Sequence, residues 1–259
     1  MRSFRYPAIL VATLFLSGCA SSEKWGWYVI SPMTKQGRIN IDFLLSGVGW
    51  TIGLTVCCVF LSIVLGMLLY LPRIADNRWL NMLNRSLVEL FRSIPPLVSI
   101  LWVYYGLPIL TGWDLNPFVS GLVALSLYGA AFMAEIYRGG VQSIERGQFE
   151  AADSLALSTR DKMIYVVFPQ ALRRSLPAMG NQFVILLKMS SLVSVIGLSE
   201  VVRRANELSV TEYRPLEIYT FLVLEYLVLV LLLSAGVRWV ERKLDSDEHS
   251  TGPASQARE

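Results

Sequence analysis

The stretch EAADSLALSTRDKMIYVVFPQAL, residues 150–172, decides how the chain is read. Long apolar runs lie on both sides of it. It carries Glu150, Asp153, Arg160, Asp161 and Lys162, so it cannot lie in lipid. It is not a plain polar linker either, because apolar residues recur through it at helical spacing. Residues 148–157 read as a helix with Ala152, Leu155 and Ala156 on one side and Glu150 and Asp153 off it. Ser158-Thr159-Arg160-Asp161 has the S/T-x-x-D/E form that caps a second helix over 160–168, and Pro169 ends or kinks it. The segment is therefore two short helices and a tight turn with one apolar face. That face either lies on the membrane surface and the rest of the chain, or docks into a groove on a soluble partner.

The flanking sequence sets the class. Of 259 residues, 54% are hydrophobic and 17% charged, which marks an integral membrane protein. Apolar runs at 48–71, 94–110, 118–137, 179–198 and 218–236 predict five spans in an all-α chain. Gly49 with Gly53, and Ser62 with Gly66, are spaced four apart and predict a small face for close helix packing in the first span. Arg73, Arg78, Arg85 and Arg92 precede the second span. Arg138, Arg146, Arg160, Lys162, Arg173 and Arg174 follow the third, and Arg238, Arg242 and Lys243 follow the fifth. The alternate segments carry six basic residues against these thirteen, so the richer side is cytoplasmic. The N-terminus of the mature chain is then periplasmic and the C-terminus cytoplasmic.

The N-terminal 20 residues combine Arg2 and Arg5, a short apolar core, and Leu16-Ser17-Gly18-Cys19. They read as a signal segment whose last four residues have lipoprotein-box form, with Cys19 a candidate for lipidation. Residues 21–46 form a periplasmic segment, 47–243 the transmembrane domain with its cytoplasmic insert over about 146–172, and 244–259 a polar cytoplasmic tail. The one histidine, His249, sits in that tail, so a His-based metal centre or general base is not expected, and Cys57 and Cys58 lie inside an apolar run. No GxxxxGK[ST] phosphate loop occurs, so any ATP chemistry comes from elsewhere.

Motifs along the chain narrow the reading. Glu150-Ala151-Ala152, Ala156 and Phe168-Pro169 resemble the EAA loop of ABC importer permeases. Phe91-Arg92-Ser93-Ile94-Pro95-Pro96-Leu97, Tyr104-Tyr105-Gly106-Leu107-Pro108, Ala134-Glu135-Ile136-Tyr137-Arg138-Gly139-Gly140 and Gly180-Asn181-Gln182 are similar to segments of the polar amino acid (histidine, glutamate, glutamine, arginine, opine) group. The run Leu187–Gly197 completes the series, which covers roughly residues 45–243. The resemblance implies the type I ABC importer permease fold and the inner membrane of a bacterium. It also implies a second permease subunit, identical or different, two ATP-binding subunits and a periplasmic amino-acid-binding protein. No cofactor is expected on this chain, ATP and Mg being used by the ATPase, and no nucleic acid partner is implied. Glu150, Ala151, Ala152, Ala156, Leu157 and Pro169 become the ATPase-coupling residues, with Glu150 the main polar anchor. The family usually has Gly at the position of Ala156 and Asp at that of Met189. Alanine suits helix better than glycine, so the first change reads as mild and stiffening. The second removes a carboxylate beside Lys188.

Asn181, Lys188, Ser190, Ser191 and Glu225 are candidates for the substrate pathway. Lys188 and Ser191 are three apart and share a helix face, and an intramembrane lysine can attract an amino acid carboxylate. Its structural alternative is pairing with a neighbouring subunit or reaching toward the membrane surface. Glu225 is a candidate to balance Lys188, to select an ammonium or guanidinium group, or to face a sister subunit. Glu135 and Arg138 are expected to form a structural ion pair near the gate. An opine or other amino-acid-like solute is the alternative cargo. An intramembrane enzyme is the alternative class, disfavoured by the scarcity of acids and histidine within the spans.

Overall fold

The computed structural model describes residues 25–74 and 78–249. The described part is helical, with no strand among the described residues. A 3-10 turn, Trp27–Ile30, leads into α1 (Lys35–Leu45), whose Thr34 cap accepts from the amide of Gly37. The first crossing helix is α2 (Val48–Tyr70), then comes α3 (Arg78–Ser93), and α4 spans Pro96–Thr111 with a wide π turn at Trp102–Gly106. Helix α5 is Pro117–Gln142 and α6 is Arg146–Ser154. Helix α7, Thr159–Ile196, contains a second π turn at Lys162–Val167 and tightens to 3-10 geometry over Ser190–Ile196. Two helices close the chain, α8 (Val201–Glu212) and α9 (Pro215–His249). By length and composition α2, α5, α7 and α9 can cross a membrane, and the bent pair α3–α4 counts as a fifth crossing when taken as one span. The expected lipidation of Cys19 and the signal segment lie outside the described residues.

Helix α5 is the hub. Ser120, Gly121, Ala124, Ala130, Ala131 and Ala134 are buried along it, and these small side chains let α2 and α7 approach its backbone. A methyl added at Gly66 would collide with Met133 and stand 3.0 Å from the carbonyl of Ala130. Ser62 fills the space beside Gly129 and donates to the carbonyl of Ser126 at 3.3 Å. So the Ser62/Gly66 half of the expected small face packs. The Gly49/Gly53 half does not, since both positions face open space within this chain. Leu54, Ile100, Leu125 and Val193 knit α2, α4, α5 and the 3-10 end of α7 into one core. Helix α9 leans on α7 and α8 and turns Val223, Leu224, Leu227, Leu231 and Leu232 outward, as a lipid-facing helix must.

Three boundaries differ from the sequence expectation. The fourth crossing does not begin at 179: α7 runs on from Thr159 through both Pro169 and Pro177. The Lys162–Val167 π turn just ahead of Pro169 loosens the ladder where a ring without an N–H must fit. Arg173 and Arg174 on an otherwise amphipathic stretch hid this continuity from hydropathy. At the other end, α9 runs past 243 to His249, so the expected tail begins as helix. Residues 78–93, to which the sequence reading assigned no element, form helix α3. Proline disfavours helical geometry in the residue before it, and Pro95 sits in extended backbone between α3 and α4. The two helices consequently meet at 97°.

Candidate functional site: coupling loop and intramembrane polar residues

The insert between α5 and α7 has a rigid inner side and an open outer one. Ile144, Val167 and Ala171 form a buried cluster, with Val141, Phe149 and Met163 packed on it, so the insert rests on the ends of α5 and α7. Lys162 Nζ reaches Asp153 Oδ1 at 2.5 Å, and Gln170 Nε2 donates to Gln148 Oε1 at 3.1 Å. Arg174 donates to the carbonyl of Ser143. Ser158 caps the second helix as expected, accepting from the amide of Asp161 at 3.1 Å. Among the coupling residues, Ala152 is buried. Glu150, Ala151, Ala156 and Pro169 are exposed and Leu157 is half-buried. Glu150 pairs only with Arg146, one turn earlier, at 3.2 Å, and both side chains are largely in solvent. Leu155 and Tyr165 of the insert are exposed as well.

Leu155 and Ala156 were expected on the inner face, but α6 stops at Ser154. The amide of Ala156 donates to the carbonyl of Asp153 at 2.9 Å and that of Leu157 to Ala152 at 3.2 Å. This is a Schellman ending, and it demands a left-handed residue at its first position past the cap. Ala156 occupies that position with φ 53°. The alanine is therefore strained rather than mild, and the stiffening expectation is corrected. A side chain in left-handed backbone costs roughly 1–2 kcal/mol.

Toward the C-terminal end of α5, Glu135 and Arg138 form an ion pair, Arg138 Nε donating to Glu135 Oε1 at 2.6 Å. The structure adds a third member that sequence spacing did not reveal. Arg73, just past α2, donates to Glu135 Oε2 at 3.0 Å and to Asn84 Oδ1 at 2.9 Å, with its side chain nearly buried. The carboxylate thus ties the ends of α2, α3 and α5 together.

The pathway candidates do not form one cluster. Asn181 and Lys188 lie two turns apart on an exposed face of α7. Ser190 and Ser191 spend their hydroxyls on the carbonyls of Leu187 and Lys188, each at 2.7 Å, where the helix tightens. Glu225 is buried on α9 with neither carboxylate oxygen hydrogen-bonded, and it makes no ion pair with Lys188 in this chain. The balancing role therefore fails within one subunit, which leaves substrate selection or an intersubunit partner. A residue missed by the sequence reading lies near Glu225. Glu200, fully buried, caps α8 by accepting from the amide of Arg203 at 2.8 Å and also accepts from the Tyr226 hydroxyl at 3.2 Å. Burial pushes its carboxyl up to about 7. The Gly197-Leu198-Ser199-Glu200 turn ahead of a helix was the available signal for it, since an acidic cap suits a helix start.

The geometry defines a helical transport subunit, and comparison with known proteins agrees. Residues 62–246 match the binding-protein-dependent transport system inner membrane component family, and the chain belongs to that family. It is 36% identical over 209 residues to the arginine transport system permease protein ArtQ of Bacillus subtilis, covering 81% of this chain and 95% of that one. It is 34% identical over 205 residues to the glutamine transport system permease protein GlnP of Escherichia coli K12, covering 79% and 94%. Among solved structures it is similar to an amino acid ABC transporter crystallised with histidines (TM-score 0.74, 33% identity, 78% of this chain and 94% of that chain). An inward-facing methionine ABC transporter shares the fold (TM-score 0.68, 23% identity, 79% and 97%). The protein is thus an integral inner-membrane permease of the type I importer fold, a transport subunit and not itself an enzyme.

Proposed function

We propose that the chain is the permease subunit of an ATP-driven importer for polar amino acids, paired with a second permease and with two ATP-binding subunits beneath it. A periplasmic binding protein delivers the cargo. The observation that carries this reading is the insert itself: an inner face locked onto the spans and an outer face with Glu150 free to meet a partner. A rigid connection from that face into α5 and α7 lets a push from below tilt the helices that line the pathway. The chain has no phosphate loop, so ATP and Mg work in the partner. The relatives' printed substrates, arginine and glutamine, support a polar amino acid as cargo. Lys188 attracts its carboxylate, and Glu225, Asn181 and the α7 end shape selectivity. Thirteen basic residues on the insert's side support a cytoplasmic C-terminus and a periplasmic start.

Glu150→Lys tests the coupling role. Its pair with Arg146 is solvent-exposed and contributes under about 1 kcal/mol, so folding and insertion stay intact. Co-purification of the ATPase and substrate-stimulated hydrolysis are expected to fall together. Normal transport by a correctly inserted Glu150→Lys variant would refute the assignment.

A further inference from the structure

The cytoplasmic end of the fold holds a cavity that the transport reading does not use. It has a volume of about 660 Å³ and is lined by Arg73, Arg78, Arg85 and Arg138, with Tyr70, Asn81 and Gln142 beside them. An adjoining cavity of about 510 Å³ shares Arg73, Arg85 and Arg138 and adds Arg92. Two carboxylates line the adjoining cavity: Glu135 is held by Arg73 and Arg138, and Glu89 pairs with Arg92 at 3.8 Å. Arg78 and Arg85 make no hydrogen bond or ion pair among the described residues. Two guanidinium groups, Arg78 and Arg85, therefore face these cavities with no partner among the described residues.

The orientation of α3 says where this cavity lies. With α4 as the crossing arm of the bent pair, the 97° bend lays α3 along the membrane surface. Its residues sort by angle as an interfacial helix requires. Trp79, Leu80, Leu83, Leu87 and Leu90 share one exposed face. Arg78, Arg85 and Arg92, each seven apart, form a stripe on the opposite side. Asn84 and Val88 between them are buried against the protein. With its apolar face in the acyl layer, the arginine stripe stands at headgroup level, beside the ends of α2 and α5.

We propose that this cavity binds a phosphate-type oxyanion, supplied by the headgroup of an anionic phospholipid of the cytoplasmic leaflet. Arginine forks match phosphate oxygens in bidentate fashion, and two forks two turns apart on one helix face, with no partner among the described residues, can close on a single phosphate from either side. A leaflet lipid is favoured over a soluble anion because the cavity adjoins a helix whose apolar face needs acyl chains. The bound lipid would fix α3, and through Arg73 and Glu135 the cytoplasmic ends of α2 and α5.

The test uses the full-length permease in neutral detergent, titrated with phosphatidylglycerol and with phosphatidylcholine and read by native mass spectrometry. The parent protein is expected to retain phosphatidylglycerol preferentially. Each arginine at an anionic surface contributes about fivefold, so Arg78→Gln/Arg85→Gln should weaken that retention roughly 30-fold without changing phosphatidylcholine binding. Neither side chain has a partner to lose among the described residues, and a thermal melt checks that the variant is folded. Arg238→Gln/Arg242→Gln removes equal charge from the exposed end of α9 and should retain the lipid. Equal loss in both variants would mean diffuse attraction and overturn the site. Competition by inorganic phosphate as effective as by the lipid would overturn the headgroup assignment, as would no phosphatidylglycerol preference in the parent.

Discussion

Replacing Ala156 by glycine should strengthen the coupling loop, although it removes a methyl group and adds chain freedom. The methyl is exposed, so no packing is lost. The residue sits at φ 53°, where an L side chain crowds the following carbonyl. Relief of that crowding is worth about 1–2 kcal/mol. Glycine's larger entropy loss on ordering offsets about 0.5–1 kcal/mol of it. A net gain of about 0.5–1 kcal/mol should act on the two hydrogen bonds that close α6, from Ala156 to Asp153 and from Leu157 to Ala152. Hydrogen-exchange mass spectrometry resolves this, because local opening sets the exchange rate of those amides. Protection across 155–157 should rise about two- to fivefold in Ala156→Gly, with little change in α5. Ala156→Val, with a branched side chain in the same backbone, should move protection the other way. Unchanged or faster exchange in the glycine variant would refute the left-handed ending, and with it the claim that this loop carries strain.

Three further outcomes follow from the packing and the charges. Gly66→Val should destabilise the α2–α5 contact by about 1–3 kcal/mol or prevent folding, because the new side chain meets Met133 and the Ala130 carbonyl. Gly49→Ala and Gly53→Ala should not lower the melting temperature of the isolated chain and should raise it slightly, since each methyl meets open space and alanine suits helix better than glycine. Arg73→Gln should lower thermal stability by about 1–3 kcal/mol, since Asn84 and one Glu135 oxygen lose a charged donor while Arg138 still holds the other. Equal melts would show that the three helix ends are joined by other means. Glu200 should make stability pH-dependent. Burial lifts its carboxyl from an ordinary 4.5 to about 7, so the folded chain keeps a proton that the unfolded chain releases between those values. Its contribution is complete below about pH 4.5 and declines as the pH rises toward 7, by at most about 3 kcal/mol. Melting temperature against pH should slope downward over that window in the parent and flatten in Glu200→Gln; parallel profiles would sink the assignment.

Much of the architecture was legible because it obeys local rules. Apolar length placed the helices, Ser158 three residues before Asp161 placed a cap, and the spacing of Glu135 and Arg138 placed an ion pair on one helix face. The motif series from Phe91 to Gly197 identified the family. The glycine pattern of α2 was legible only in part: spacing showed that one stripe was small, and not which half of it would meet α5.

What the sequence determined, then, is the set of apolar crossings, the side on which the basic residues gather, and a polar insert between two of them. Each depends on residues within a few turns of one another. The tertiary structure alone decided the rest. It set Ala156 in left-handed backbone, because a helix must satisfy its last carbonyls whatever residue stands there. It brought Arg73 to Glu135 across 62 positions of chain, and buried Glu200 beneath Tyr226. It separated Lys188 from Glu225, two opposite charges that composition alone invites one to pair. Contacts of that kind arise from how the helices lie against one another, and nothing in a hydropathy profile records the angle between them.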